Sequence, residues 1–465
     1  MSASSAPTGA LPLDPYDGAA PVAPGGPTLI HEPLWLVVLR VGAPAVASNL
    51  LMILFLAVDA FWVGQRIGAT ALAAVTTSLF WIWLFISLAE MVGVGLTALA
   101  ARRHGEGRPA DAARVVGHAL VYSVALGVAV AIIGVRCLPL LFAAMRTPPA
   151  VTALGLRYLG TYFLGAPGIF GYFAVDAAFR ASGDTWTPLL LLAVSVAITL
   201  VLDPVLILGL AGAPALGITG AAIATISVRG AAFVMGLGLL TRRRMVQVGR
   251  RGFAAAVGAI TRIGLPTAAT GVLFSGIYVV IARIAAQFGT PALAAMGLGF
   301  RVESWMYVVG VGFGAAAAAI VGQNLGAGLP DRATRAGWIT FAYATAPALI
   351  AVIAELVWPV RLATIFTHDA SVIAETAHYL RIAAVSQLFV GAEMVFEGAM
   401  GGAGDTVPPM LWSTSCTVSR VPLAAWVAPR FGTGGIWTII SVTAAVRGLG
   451  MMGLWRWGRW KRRSV

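Results

Sequence analysis

Apolar residues run through this chain in long blocks broken by short polar stretches. Twelve blocks recur, at roughly 34–63, 72–100, 114–136, 152–179, 187–210, 216–240, 260–287, 294–323, 334–359, 373–400, 407–428 and 434–456. Each is long enough for a helix to cross about 30 Å of hydrocarbon. The blocks do not alternate apolar and polar residues with period two, as the strands of a membrane barrel do. Only helices satisfy their own backbone in lipid without such pairing. Gly and Pro clusters set the boundaries, among them Gly105 to Pro109, Gly183-Asp184, Gly322 to Pro330 and Gly432 to Gly435. The pattern predicts an all-α polytopic membrane protein with twelve transmembrane helices.

Composition agrees. Of 465 residues, 59% are hydrophobic and 11% charged, with a mean hydropathy of +0.88. A soluble protein cannot hide that much apolar surface. The net charge of +13 comes almost wholly from arginine. Its place in short loops identifies it as the charge that orients helices, and predicts no nucleic-acid partner. Taking the loops at Arg102 to Arg114, Arg242 to Arg251 and Arg332 to Arg335 as inside, with the tail Arg456 to Arg463, both termini are cytoplasmic. The chain is then a multi-pass protein of the inner (plasma) membrane, surrounded by lipid bilayer and expected to act as a monomer. Residues 1–33 are rich in Ala, Pro and Gly and read as a flexible cytoplasmic tail, not a signal peptide.

A repeat divides the rest. Gly68 with Ala71-Leu-Ala-Ala74 matches Gly289 with Ala292-Leu-Ala-Ala295, and Gly105-Glu-Gly107 matches Gly326-Ala-Gly328. Gly183-Asp-Thr185 matches Gly404-Asp-Thr406. All three pairs lie 221 residues apart. Arg229-Gly230 matches Arg447-Gly448 at a nearby offset. The expected organisation is a six-helix lobe at 34–240, a basic linker at 241–259, a second lobe at 260–456 and a basic tail at 457–465. Six helices per half makes the repeats parallel, related by a pseudo-two-fold axis normal to the membrane. That architecture suits alternating access.

Little in the chain suggests an enzyme. His31, His104, His118, His368 and His378 fit no metalloprotease spacing, and the Gly-rich stretch from Gly322 lacks the Lys and hydroxyl of a phosphate loop. Cys137 and Cys416 stand far apart. No cofactor is expected; energy would come from an ion gradient of H+ or Na+.

Acids within the apolar blocks are the candidate chemistry, since each costs about 2.5–3.5 kcal/mol at a bilayer centre. Asp59 ends the first block with no basic residue within a turn. Asp203 sits in Thr199-Leu-Val-Leu-Asp-Pro204. Thr199 and Asp203 share a helix face, and Pro204 frees a backbone carbonyl nearby. Those oxygens could hold Na+ or take up a proton; a hydrogen-bonded polar pair is the alternative. Asp176 has Arg180 one turn on, so a local ion pair competes with any coupling role. Glu393 and Glu397 lie one turn apart, either as a patch for cationic substrates or packed against Arg381 or Arg420. Pro44 breaks the hydrogen-bond ladder of the first helix and makes a hinge there.

These residues resemble those of the MATE (multidrug and toxic compound extrusion) transporters. Val58-Asp-Ala-Phe-Trp-Val-Gly64 is similar to the family's first-helix motif. Arg180-Ala-Ser-Gly-Asp-Thr-Trp-Thr-Pro188, Gly322-Gln-Asn-Leu-Gly-Ala-Gly328, Gly401-Gly-Ala-Gly-Asp-Thr-Val-Pro-Pro409 and Leu202-Asp-Pro204 resemble its later motifs. The resemblance implies a secondary antiporter that exchanges H+ or Na+ for organic, often cationic, drugs. It is similar to the DinF-like branch, whose first-lobe cation site carries over onto Asp59 and Asp203, with Asp176, Thr199 and Thr225 around them. Na+, if used, would sit at Asp59 and Asp203. Pro44 matches the family's kink proline. A lipid-linked precursor flippase of the same superfamily is the alternative, and a channel or scaffold a third reading.

Overall fold

The computed structural model describes residues 29–145 and 147–463; the side chains of residues 56, 57, 59, 60, 64–66, 69, 80, 144, 211 and 275 are outside the described set. No strand occurs among the described residues. The first half contains α1 (Leu34–Arg66), α2 (Ala69–Gly105), α3 (Pro109–Met145), α4 (Pro149–Leu164), α5 (Ala166–Ala181), α6 (Trp186–Leu208) and α7 (Ile218–Arg242). The second contains α8 (Phe253–Ala286), α9 (Thr290–Gly326), α10 (Pro330–Val357), the short α11 (Pro359–Thr364), α12 (Ala370–Ala383), α13 (Gln387–Gly402) and α14 (Val407–Trp457).

Two of the spans are not the simple rods that the apolar blocks predict. The fourth span is broken at Gly165 into α4 and α5, which meet at 53°. Pro167 opens α5 at a position where its missing N–H is harmless. The tenth span is interrupted by a turn of 3₁₀ helix at Ala384–Ser386, between α12 and α13. Ser386 lies 221 residues after Gly165, so the break is itself part of the repeat. As the sequence predicts, α14 is two spans, and they meet at Gly432, whose backbone (φ 61°, ψ −150°) is open only to glycine. Gly217 makes the same turn into α7 (φ 56°, ψ −133°). Counting each bent pair as one span and α14 as two, the described residues make twelve crossings in two six-helix lobes.

Each lobe has its own apolar core, and its first helix reaches into the other. Val37, Val38 and Val41 of α1 pack with Phe313, Ala317 and Ile320 of α9. Conversely, Ala256, Ile260 and Ile263 of α8 join Met91, Leu96 and Leu99 of α2. Glycines allow the approach: a Cβ on Gly105 would strike the Gln323 carbonyl, and one on Gly326 the Arg102 carbonyl. These two glycines are repeat partners. Gln323 adds a polar tie, donating from Nε2 to the Ala181 carbonyl at 2.9 Å and accepting at Oε1 from the Leu29 N–H at 3.3 Å. The Leu29 side chain, fully buried, lies against Gly183. Arg332 donates to the Glu32 carbonyl, and Glu32 pairs with Arg40 at 2.7 Å.

All of this lies at the arginine-rich end. Further along, α2 and α8 still meet, a Cβ on Gly264 striking the Met91 carbonyl and one on Gly271 reaching Ser87, but a pocket opens between them. Leu84, Ser87 and Leu88 face Leu265, Ala268 and Val272 across a gap of about 370 Å³. Trp83, Val279 and Val280 are exposed. The lobes are thus tied by polar contacts at the arginine-rich end and line an apolar pocket further along α2 and α8.

Candidate functional site

The first lobe gathers three of the polar residues singled out in the sequence. Thr199 and Asp203 on α6 are fully buried, and Thr225 on α7 is 4% exposed. For Thr199 and Asp203 burial follows from the α6 face they share: Val196 and Leu192, one and two turns before Thr199, pack with Phe55 of α1 and Val228 of α7. The Thr199 hydroxyl has no hydrogen-bond partner among the described residues. Pro204 follows within the unbroken α6, so the Leu200 carbonyl one turn back lacks its usual donor. Asp59 falls on α1, one turn beyond Phe55. Its side chain lies outside the described residues. An acid held among hydroxyls and a freed carbonyl, out of water, can take up a proton or a bare cation.

A guanidinium sits one turn from Thr225, and the sequence analysis did not assign it to the site. Arg229 of α7 is 3% exposed. Its Nη2 donates to the Met52 Sδ at 2.7 Å, and the group lies 4.5 Å from the Phe55 ring centre and 4.8 Å from that of Tyr172. The repeat Arg229-Gly230/Arg447-Gly448 was the available signal, but it reads first as helix packing.

Asp176 on α5 takes the local partner. Arg180 donates to it twice, from Nε at 2.7 Å and Nη2 at 3.1 Å. Pro44 lies inside α1, which continues through it; Ser48 Oγ donates to the Pro44 carbonyl at 2.9 Å.

In the second lobe Glu393 is 2% exposed and pairs with Arg447 at 2.7 Å, not with Arg381 or Arg420. Ser413 Oγ donates to Glu393 at 3.1 Å, and Arg447 Nη1 to Thr417 Oγ1 at 3.0 Å. Arg420 donates to Thr443 Oγ1 at 2.7 Å and to the Tyr278 hydroxyl at 2.6 Å. The partner of Glu393 lies in the other arm of α14, a distance along the chain that helical spacing does not reveal. Arg420 stands 221 residues after Thr199, and Ala424 after Asp203. The second lobe therefore has a guanidinium and a methyl where the first has a hydroxyl and a carboxylate. Glu397 of α13 is half-buried, and Glu90 of α2 and Tyr307 of α9 are exposed. Among the described residues no three His, Cys, Asp or Glu side chains converge as a metal site.

Two six-helix lobes, tied together at the arginine-rich end and each holding buried polar groups, define a class: the two-lobe membrane transporters. The profile of the MatE family matches residues 44–205 and 266–426, one stretch in each lobe, and the chain belongs to that family. Its relatives are transporters, not enzymes. The chain is 27% identical over 444 residues to the probable multidrug resistance protein YoeA of Bacillus subtilis, covering 91% of this chain and 93% of that one. It is 26% identical to the probable multidrug resistance protein NorM of Thermotoga maritima (92% and 93% covered) and to an FAD transporter of Shewanella oneidensis (90% and 94%). The fold is shared with a solved MATE transporter in a straight conformation, at a TM-score of 0.86 and 22% identity, covering 94% of this chain and 98% of the other. The Vibrio cholerae MATE transporter VcmN in a bent form gives 0.84 at 22% identity, covering 91% and 97%.

Proposed function

We propose that this chain is a secondary antiporter of the DinF-like branch that exports organic cations in exchange for H+, with Na+ as the alternative coupling ion. It works as a monomer in the inner membrane with both termini cytoplasmic. The observation that carries the reading is Asp203, wholly buried on α6 one turn beyond the equally buried Thr199. A carboxylate there gains charge when its ion leaves and loses it when an ion binds, which biases the packing of α1, α6 and α7. With the arginine-rich end placed inside by the loop charges, the gap between α2 and α8 opens outward. The form described is then the outward-facing one. Cationic substrate would meet Glu90 and Glu397 beside Tyr307 on the facing walls of the two lobes.

Everted vesicles under an imposed pH gradient, with and without sodium, test this with ethidium as the transported cation. Wild type should accumulate it. Asp59→Asn and Asp203→Asn should each abolish accumulation while leaving the protein folded. Undiminished transport in both variants would sink the proposed site.

A further inference from the structure

Residues 29–33 precede the first helix and stand ahead of the repeat, yet they join its two halves. Leu29 is fully buried and packs into the second lobe's apolar core with Leu325, Ala333 and Trp460. On its other side it meets the first lobe. A Cβ on Gly183, in the loop between α5 and α6, would come within 3.0 Å of the Leu29 side chain. Gly183 also has φ 91°, so two separate constraints call for glycine there. The Leu29 N–H donates to Oε1 of the buried Gln323 on α9, whose Nε2 donates to the carbonyl of Ala181 at the end of α5. One side-chain amide thus holds both the N-terminal strap and the first lobe. Arg332 of α10 anchors the strap by donating to the Glu32 carbonyl, and the Glu32 carboxylate pairs with Arg40 at 2.7 Å. Arg102 holds the repeat position of Gln323 but turns to Glu106 within its own lobe, at 3.9 Å. The tie is therefore one-sided.

A strap anchored on one lobe and seated against the other must unseat when the lobes part. Leu29 would leave Gly183 and expose apolar surface to water. Gln323 Nε2 would lose the Ala181 carbonyl, and a buried polar group left without its partner is costly. Neither cost arises while this end stays tied. We propose that residues 29–33 are a latch that favours the form closed at the arginine-rich end, with Gln323 as its catch. The latch is a conformational device and touches neither substrate nor coupling ion. It requires only that the lobes part at this end during the transport cycle, whichever ion drives that cycle. The glycine contacts of α2 with α9 let the lobes come together; the latch sets how firmly they stay together.

The test uses the full chain in proteoliposomes, with Cys137→Ser and Cys416→Ser removing the native thiols. Spin labels go on Arg242→Cys of α7 and Arg335→Cys of α10, exposed positions at the arginine-rich end, one in each lobe. Leu29→Ala removes the seated side chain, and Gln323→Ala removes the catch. Each should raise the ratio of long to short distances about tenfold. Leu29→Met, which keeps the volume, should leave the wild-type distribution. Arg332→Gln frees the strap from α10 while Leu29 and Gln323 remain, and should shift the distribution the same way by a smaller factor. That variant decides the matter if Leu29→Ala or Gln323→Ala does not fold. If Leu29→Ala and Gln323→Ala lower the melting temperature yet keep the wild-type distances, the segment only adds stability and the latch is refuted. A single distance in wild type throughout ethidium exchange would mean that the lobes do not part at this end, which overturns the latch together with alternating access.

Discussion

Glu393 Oε2 lies 2.7 Å from Arg447 Nε, both side chains almost wholly out of solvent. The pair ties α13 to the second arm of α14, and Ser413 and Thr417 complete it from the first arm. Removing one member strands the other as an uncompensated buried charge, which costs about 3–5 kcal/mol. Glu393→Ala and Arg447→Leu should each lower the melting temperature in detergent markedly, with the double substitution milder than either alone. Thermal unfolding of the three purified variants checks this; additive losses would mean that the pair is not a unit.

The contact of α2 with α9 at Gly105 and Gly326 closes the arginine-rich end. A methyl at either position meets backbone, which cannot move aside as a side chain can. Overpacking of this kind costs about 1–3 kcal/mol, and here the lobes can relieve it by parting. Gly105→Ala or Gly326→Ala should therefore shift the population toward the form open at that end. Distances between spin labels on α2 and α9 near these glycines should lengthen. Unchanged distances with unchanged stability would rule out this contact as the closure.

Asp184, in the loop between α5 and α6, ties the basic linker to the first lobe through Arg243 at 2.6 Å. Burial by itself would push its carboxyl up. Hydrogen bonds from Thr187 Oγ1, the Thr187 N–H and Arg243 outweigh that and hold it below the usual value of 3.8. A carboxylate depressed in the folded state adds stability above its unfolded value, which is lost only as pH falls through the folded one. The tie should therefore persist at every pH above about 4. Asp184→Asn should lower the melting temperature by the same amount at pH 7 and pH 5; a loss seen at pH 7 alone would contradict the assignment.

Much of this was legible in the sequence because lipid simplifies the problem. An apolar block in a bilayer must be a helix, so block length and Gly/Pro punctuation yield the spans. The 221-residue repeat likewise reports the two lobes, and its glycines mark where backbones cross. Breaks inside blocks were harder. Gly165-Ala-Pro167 and Ala384-Val-Ser386 interrupt single apolar blocks, whereas the break of α14 at Gly432 falls at the Gly432 to Gly435 boundary that the sequence marks.

The sequence by itself determined the fold class, the twofold plan and the expensive acids, since hydropathy and charge act on local stretches and need no partner. Tertiary structure alone decided who pairs with whom. It joined Glu393 of α13 to Arg447 in the second arm of α14, and set Arg229 on a thioether and two rings one turn from Thr225. Such pairings depend on which faces of distant helices meet. That is fixed by packing between the lobes' own cores, a property of the whole bundle that no single window of residues carries.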